Sequence, residues 1–490
     1  MSVITTAEHR VDDASAPKPG TPQAKRPTLA IISVVVLIVS TVLLLTDSVS
    51  IEAKGAVSFA TLLALILLHV PVGISLAITG ILGIFGLRGL DASLNTIAQL
   101  PWSQSSTWTL TVIPMFIMMG MLLDRSGAAS GIFAGVRALL GRLPGGLAIT
   151  TNLTGSGMGA ASGSTLGITY ALGRIALPEM VRGAGYDKRL ASAAVLMAGT
   201  GGQLIPPSIL LVIYAGIAQV PVGQQLAAGI LPGLLLAVLY SVVTWLLAVI
   251  VPKLAPRDKP YTGGLALRLQ QIAGIWPVFL LVGIIVGGLY TGIFTATQAG
   301  AFGVLGAAFV VLVDSGPKGL MRTTMPAARD TASATGAIFL VLIGGAIYAR
   351  FMALSGVPQM LADWLGSMTT SPIVFLLLVL ALYLILGMVM DPTAMMLITV
   401  PILLPLALTV GVDPLVFGVL VVLLGELAVI TPPVGILVFA VQRIAADTGI
   451  RLSLRDAFTG AMWFYPVAIG LAILLIFFPE FVQWLPALMN

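Results

Sequence analysis

GYDKRLASAAVLMAGTGGQLIPPS (185–208) lies over GVDPLVFGVLVVLLGELAVITPPV (411–434) without a gap, at a constant offset of 226 residues. Six of the 24 positions are identical, among them Gly185/Gly411, Asp187/Asp413, Gly199/Gly425 and the pairs Pro206-Pro207 and Pro432-Pro433. In so apolar a chain the count alone is weak; the prolines and the glycine seven residues ahead of them carry the signal. Proline has no N–H to give a helix and clashes with the preceding turn, so each pair interrupts a long apolar stretch. Two interrupted membrane helices at corresponding places in two halves of a chain point to the binding site of a solute carrier.

The rest of the composition agrees. Of 490 residues, 58% are hydrophobic and 9% charged, with a mean hydropathy of +1.07. Long uninterrupted apolar runs at that level belong to a polytopic membrane protein. The 54 glycines would weaken helices in water but permit close helix packing in lipid. The absence of cysteine excludes a disulfide framework and thiolate chemistry. Residues 1–26 are polar and rich in Pro and Ala, and read as a disordered cytoplasmic tail. The run TLAIISVVVLIVSTVLLL (28–45) follows Lys25-Arg26-Pro27 and no small-residue cleavage site follows it, so it reads as a retained helix rather than a signal peptide.

Spanning helices are expected near 28–46, 56–70, 72–87, 111–124, 190–216, 226–251, 273–290, 297–313, 332–349, 414–441 and 459–478. The regions 146–180 and 372–408 are each long enough to enter the membrane, turn at a polar tip and leave on the same side. Both read as re-entrant helical hairpins, which are tolerated where they are buried in protein or line a cavity. This layout puts 21 of the 24 Lys and Arg residues in cytoplasmic segments and leaves only Lys54, Arg88 and Arg350 outside. A wrong parity would scatter them, so the positive-inside rule supports it. The basic pI near 9.5 therefore reflects membrane topology, not nucleic-acid binding. The N-terminus is expected to be cytoplasmic, the C-terminus periplasmic, and the halves, about 111–252 and 332–478, inverted with respect to each other.

The chemistry concentrates at the hairpin tips and the breaks. TGSGMGAASGSTLG (154–167) combines glycines with the hydroxyls of Ser162, Ser164 and Thr165. Freed carbonyls and hydroxyls suit a dehydrated Na⁺, and helix N-termini suit an anion. A small-residue packing face is the alternative; the pairing with GTGGQLIPPS (199–208), whose Thr200 and Gly199–Gly202 carbonyls would face the tip, favours the ion site. Asp391, in LGMVMDPTAMMLITVPILLP (386–405), is an ionisable residue inside an apolar region, so it is an ion-site candidate or else a helix cap ahead of Pro392. Glu426 is the other carboxylate at membrane depth, either a coupling group or a carboxyl buried against backbone donors or held protonated. Thr393 and Thr431 add oxygens. His69 reads as a packed or interfacial residue and Arg350 as an anchor. Trp102, Trp108, Trp364, Trp463 and Trp484 mostly flank apolar runs, as an interfacial belt would. The amphipathic stretches 125–143 and 353–368 look like interfacial arms bracing the hairpins.

At these motifs the chain closely resembles the large membrane subunit (M, DctM-like) of tripartite ATP-independent periplasmic (TRAP) transporters. PMFIMMGMLLDRSG (114–127), the Ser162–Ser164 tip, LIPPS (204–208), LAAGILPGLLLA (226–237), LGMVMDPTA (386–394), GVDPLVFGVL (411–420) and ITPPVG (430–435) occur in the family's order. The likeness covers about 56–490 and leaves the helix and loop at 27–55 as an addition. It implies an all-α elevator transporter of the ion-transporter superfamily, with two inverted repeats, in the bacterial inner membrane. Such a carrier imports a small organic acid anion (a dicarboxylate, keto acid, sugar acid or sulfonate) in symport with Na⁺. The acid comes from a periplasmic substrate-binding protein, and a small Q membrane subunit, here expected as a separate chain, completes the complex.

Carried over by motif, one Na⁺ site would use Ser162, Gly163, Ser164, Gly199 and Gly202, and a second Asp391, Thr393, Gly425 and Thr431. The substrate would lie between the tips, near Ser164, Thr165, Thr200, Pro206, Pro392, Glu426 and Pro432. The chain departs from the family pattern at Ile168, where some members have Asp, at Gln298, where Glu is common, and at Leu424, where Asn is common. A carrier of the same fold that needs no binding protein and couples to Na⁺ or H⁺ is the neighbouring alternative. Enzyme chemistry lacks its parts: the sequence has no HExxH, no GxGD, no phosphate-binding loop and two histidines.

Overall fold

The residues that match between the two quoted segments hold the same structural posts. Gly185 (φ 74°) and Gly411 (φ 83°) carry the chain through the left-handed region, where a Cβ would be strained. Asp187 and Asp413 then cap the helices that follow. Asp187 Oδ1 accepts from the Arg189 N–H at 2.8 Å, and Asp413 Oδ1 from those of Leu415 and Val416 at 2.8 and 3.2 Å. The Arg189 side chain also bonds Asp187 and holds its carboxyl below the usual carboxylate range. Helices Lys188–Gly201 and Pro414–Ala428 stop short of the proline pairs, both cis, and resume as Ile209–Ala218 and Ile436–Asp447.

The computed structural model describes residues 27–256, 264–368, 371–388 and 390–489. The tail 1–26 with Arg10, Lys18, Lys25 and Arg26, as well as Arg257, Lys259, Asn490 and the Trp364 side chain, lie outside the described residues. Every regular element described is helical. The two expected hairpins are helix pairs, Gly146–Ser162 with Thr165–Pro178, and Pro372–Leu386 with Pro392–Thr409. An arm helix precedes each, Ala128–Leu140 and Val357–Met368.

Even the entry to the arms repeats. Ser126 and Ser355 each turn a hydroxyl back to the carbonyl three residues earlier and accept the N–H two residues later, and each precedes a left-handed glycine, Gly127 or Gly356. The order long helix, arm, hairpin, broken helix therefore occurs twice.

Some expected boundaries are corrected. The spans at 297–313 and 332–349 are parts of one helical run, Ala296–Ser355, broken only at Gly316. Gly316 (φ 69°) breaks the run three residues past the expected end at 313, and the residues after it are helical up to the second span instead of forming a loop. The span at 72–87 likewise extends to Ser105 past a break at Gly89, and that at 459–478 is divided into Leu454–Met462 and Tyr465–Phe477. A short helix, Glu480–Ala487, follows that was not anticipated. Among the described residues, seven helical stretches are long and apolar enough to cross a membrane, with Leu454–Phe477 counted as one; the broken helices fall outside that count because each half is short.

Almost every residue of Gly146–Ser162 is buried, down to the tip. Its glycines set the closeness: Gly155 and Gly159, four apart on one helical face, lie against Ala198 and Gly202, also four apart. A Cβ on Gly159 would stand 2.4 Å from Gly202 Cα, so the two main chains touch. Trp102 and Trp108 are exposed on the rim, while Trp463 carries the Arg189 guanidinium over its ring at 5.6 Å. His69 is exposed, in a left-handed turn that ends the helix Ile51–Leu67, and Arg350 is exposed.

Candidate functional site

Four helices start at one place. Ser164 caps Thr165–Pro178 by accepting from the Gly167 N–H at 3.1 Å, and Asp391 caps Pro392–Thr409 by accepting from Thr393 and Ala394, both at 3.1 Å. Ser208 caps Ile209–Ala218 through the Leu211 N–H at 3.2 Å, and Gly435 opens Ile436–Asp447. Residues from the first turn of all four line a cavity of about 360 Å³, a volume suited to a small metabolite. Each such terminus presents unsatisfied N–H groups worth roughly half a positive charge. A second cavity, about 500 Å³, lies between Phe59, Leu62, Phe375 and Leu403, but its walls are apolar apart from Thr399. Convergent polar groups single out the first.

That cavity brings together Ser162, Gly163, Ser164, Thr165, Asp391, Pro392, Thr393 and Glu426. Ser162 is 1% exposed and its Oγ has no hydrogen-bond partner. The Thr165 hydroxyl donates to Glu426, 3.1 Å from each carboxylate oxygen, joining the first hairpin to the second broken helix. The acceptor is buried, so losing this bond would leave a polar group with no water to replace it. Asp391 is a helix cap through Oδ1, as one of its two readings expected, and it also faces the cavity.

Other expected residues stand behind the wall. Gly199 packs on the hydroxyl of Thr169 and the carbonyl of Thr165, Gly202 on Gly159, and Gly425 on Pro392. They let the breaks approach the tips without themselves lining the space. Thr200 turns its hydroxyl back to the Leu196 carbonyl at 3.3 Å. The Thr431 hydroxyl donates to Leu427 O at 2.7 Å and shares a hydrogen bond with Tyr465. Pro206 and Pro432 are outside the lining, although the Pro207 carbonyl lies against Gly163. Gln298, one of the departures from the family pattern, completes a capping box with Thr295: its Oε1 accepts the Thr295 N–H at 2.8 Å. A glutamine serves there as well as a glutamate.

Two lining residues were missed. Gln203 is 1% exposed with an unpartnered Nε2, and Asp124 has a buried Oδ1 without a partner. Asp124 follows Ile117, Gly120 and Met121 at helical spacing on Val112–Ser126, and all four line the cavity. That spacing was the available signal, in a stretch that the sequence reading used only as a span and for its family likeness.

Comparison with known proteins shows the family. Residues 59–481 match the family model described as tripartite ATP-independent periplasmic transporter, DctM component. The C4-dicarboxylate TRAP transporter large permease protein DctM of Vibrio cholerae is 30% identical over 455 residues, covering 89% of this chain and 98% of its own. Its counterpart in Pseudomonas aeruginosa is 33% identical over 370 residues, 74% and 82% of the two chains. Further relatives are named for ectoine, sialic acid and 2,3-diketo-L-gulonate. Among solved structures, the YdaH transporter of Alcanivorax borkumensis shares the fold, with a TM-score of 0.55 and 17% identity over 82% of this chain and 91% of that one. The chain belongs to the DctM family of TRAP transporter large permeases.

Proposed function

We propose that this chain is the multi-pass inner-membrane permease through which a small organic acid enters the cell in symport with Na⁺. A periplasmic binding protein delivers the acid, and a small Q subunit in a separate chain holds the permease in the membrane among its lipids. The observation that carries this is the cavity where both hairpin tips and both helix breaks meet. The orphaned Ser162 hydroxyl supports a first ion site with Gly163, Ser164, Gly199 and Gly202. Asp391 and Thr393 support a second with Gly425 and Thr431, although the Thr431 hydroxyl already has partners. The solute lies between the tips against Thr165, Pro392 and Glu426. Direct contact between the first hairpin and the first broken helix at Gly159 and Gly202 favours their movement as one body, as an elevator with inverted repeats requires.

The relatives' names span dicarboxylates, ectoine and sugar acids, which supports an organic acid whose identity the shared fold alone does not fix. Reconstitution with the Q subunit and binding protein tests the coupling. An inward Na⁺ gradient should drive uptake; equal uptake with K⁺ or choline in place of Na⁺, driven by protons, would overturn it.

A further inference from the structure

Asp124 faces the first hairpin across a close contact. One turn earlier, a Cβ on Gly120 would stand 2.6 Å from the Ser162 carbonyl, so helix Val112–Ser126 touches the tip there. Asp124 itself reaches the start of the second hairpin arm, its Oδ2 2.7 Å from where a Cβ on Gly167 would be. Arg125, the adjacent base, turns away to pair with Asp330. Three carboxylates line the cavity, Asp124, Asp391 and Glu426, and no Lys, Arg or His is among the described residues that do so. Two of the three have hydrogen-bond donors within the protein, Asp391 the N–H groups of its own helix and Glu426 the Thr165 hydroxyl. Asp124 Oδ1 has none, and neither do the buried Ser162 Oγ and Gln203 Nε2 in the same walls.

The cavity thus has two unlike poles. Helix N-termini and the Gln203 amide offer donors to a carboxylate, while Asp124 offers a carboxyl oxygen to which the protein gives no hydrogen-bond donor. A buried polar group without a partner is costly, and a cationic N–H group brought by the ligand would remove that cost. We propose that Asp124 makes the cavity selective for an organic acid that also carries a cationic nitrogen, a zwitterion, over a plain mono- or dicarboxylate. This rests on the cavity being the solute site of the importer described above.

The chain has no cysteine, so Leu166→Cys, at a cavity-lining position that is 48% exposed, gives a single thiol beside Gly167. Its rates of reaction with cationic MTSET and anionic MTSES are compared in saturating NaCl, each normalised to the rate with 2-mercaptoethanol. The cationic reagent should be favoured at least threefold; Asp124→Asn should at least halve that ratio and Asp124→Glu should keep it. A smaller ratio, or one that Asp124→Asn leaves unchanged, overturns the role of Asp124. Protection of the same thiol by γ-aminobutyrate should exceed protection by glutarate, which replaces the ammonium with a second carboxylate; equal or better protection by glutarate overturns the solute class. Failure of Na⁺-driven uptake is read separately, and would sink the transport reading while leaving the charge of the cavity as measured.

Discussion

Replacing Gly159 by alanine puts the main-chain contact between the first hairpin and the first broken helix to a quantitative test. The added methyl would stand 2.4 Å from Gly202 Cα, 2.7 Å from its carbonyl carbon and 2.8 Å from its carbonyl oxygen, whereas ordinary contact begins at 3.4 Å. Something must move by about 1 Å, and because the facing atoms are backbone no side chain can swing aside. Overpacking of this kind costs about 1–3 kcal/mol. The same substitution at Gly157, two residues away on the same helix, meets only Val278 methyls at 3.6 and 3.7 Å. There the alanine should gain the roughly 0.5–1 kcal/mol that a helical glycine forgoes. Pairing the two variants cancels helix propensity and isolates the contact. Detergent-purified protein is heated and the fraction that remains monodisperse is followed by gel filtration, a kinetic measure suited to irreversible unfolding. Gly157→Ala should survive at least as well as the unaltered protein and Gly159→Ala clearly worse. Since the arm ends three residues later at Ser162, Na⁺-driven uptake by Gly159→Ala should fall at least tenfold. If the two variants match in survival and uptake, the hairpin and the broken helix are not held together by main-chain contact, and the elevator body would have to be drawn elsewhere.

Ser162→Ala and Asp391→Ala should each lower uptake across a Na⁺ titration while insertion stays normal; an Asp391→Ala variant that transports like the unaltered chain would leave Asp391 only its helix-capping role. Thr165→Val removes the hydroxyl donated to buried Glu426, and leaving that buried carboxyl without its partner costs about 1–3 kcal/mol, so uptake should drop on the order of tenfold or more. Thr165→Ser should restore it, and an unaffected valine variant would show that the contact plays no part in the cycle. With impermeant maleimide on intact cells, single cysteines at Gln23 and Asp314 should be protected and those at Pro221 and Asn490 reactive. Like labelling of positions 23 and 490 would mean an extra or missing span.

The two halves were legible in the sequence because their signals are local. A glycine in a left-handed turn, an aspartate two residues later as a cap, and a proline pair at the break each act on their own few residues, so the same letters recur wherever the geometry recurs. The long run Ala296–Ser355 was not legible for the converse reason: a polar segment that continues a helix past the membrane and one that loops have similar composition. The contents of the cavity were harder still, because they depend on contacts between residues far apart in the chain. Asp124 and Arg125 read as neighbours of opposite charge, yet one faces the hairpin and the other pairs with Asp330, 205 residues away.

The site's polarity comes from the positions where the repeats differ. Thr200 and Glu426 occupy the same place at the 226-residue offset, but the threonine bonds back to its own helix while the glutamate reaches across to Thr165. The caps of the two second arms are Ser164 in one half and Asp391 in the other. Counting back from the matching Ser126-Gly127 and Ser355-Gly356 turns, the counterpart of Asp124 is Ala353. Shared residues build the two hairpins and breaks, which is why the repeat reveals the fold. Each of the three carboxylates around the cavity belongs to one half only, so the repeat is silent about what the cavity attracts.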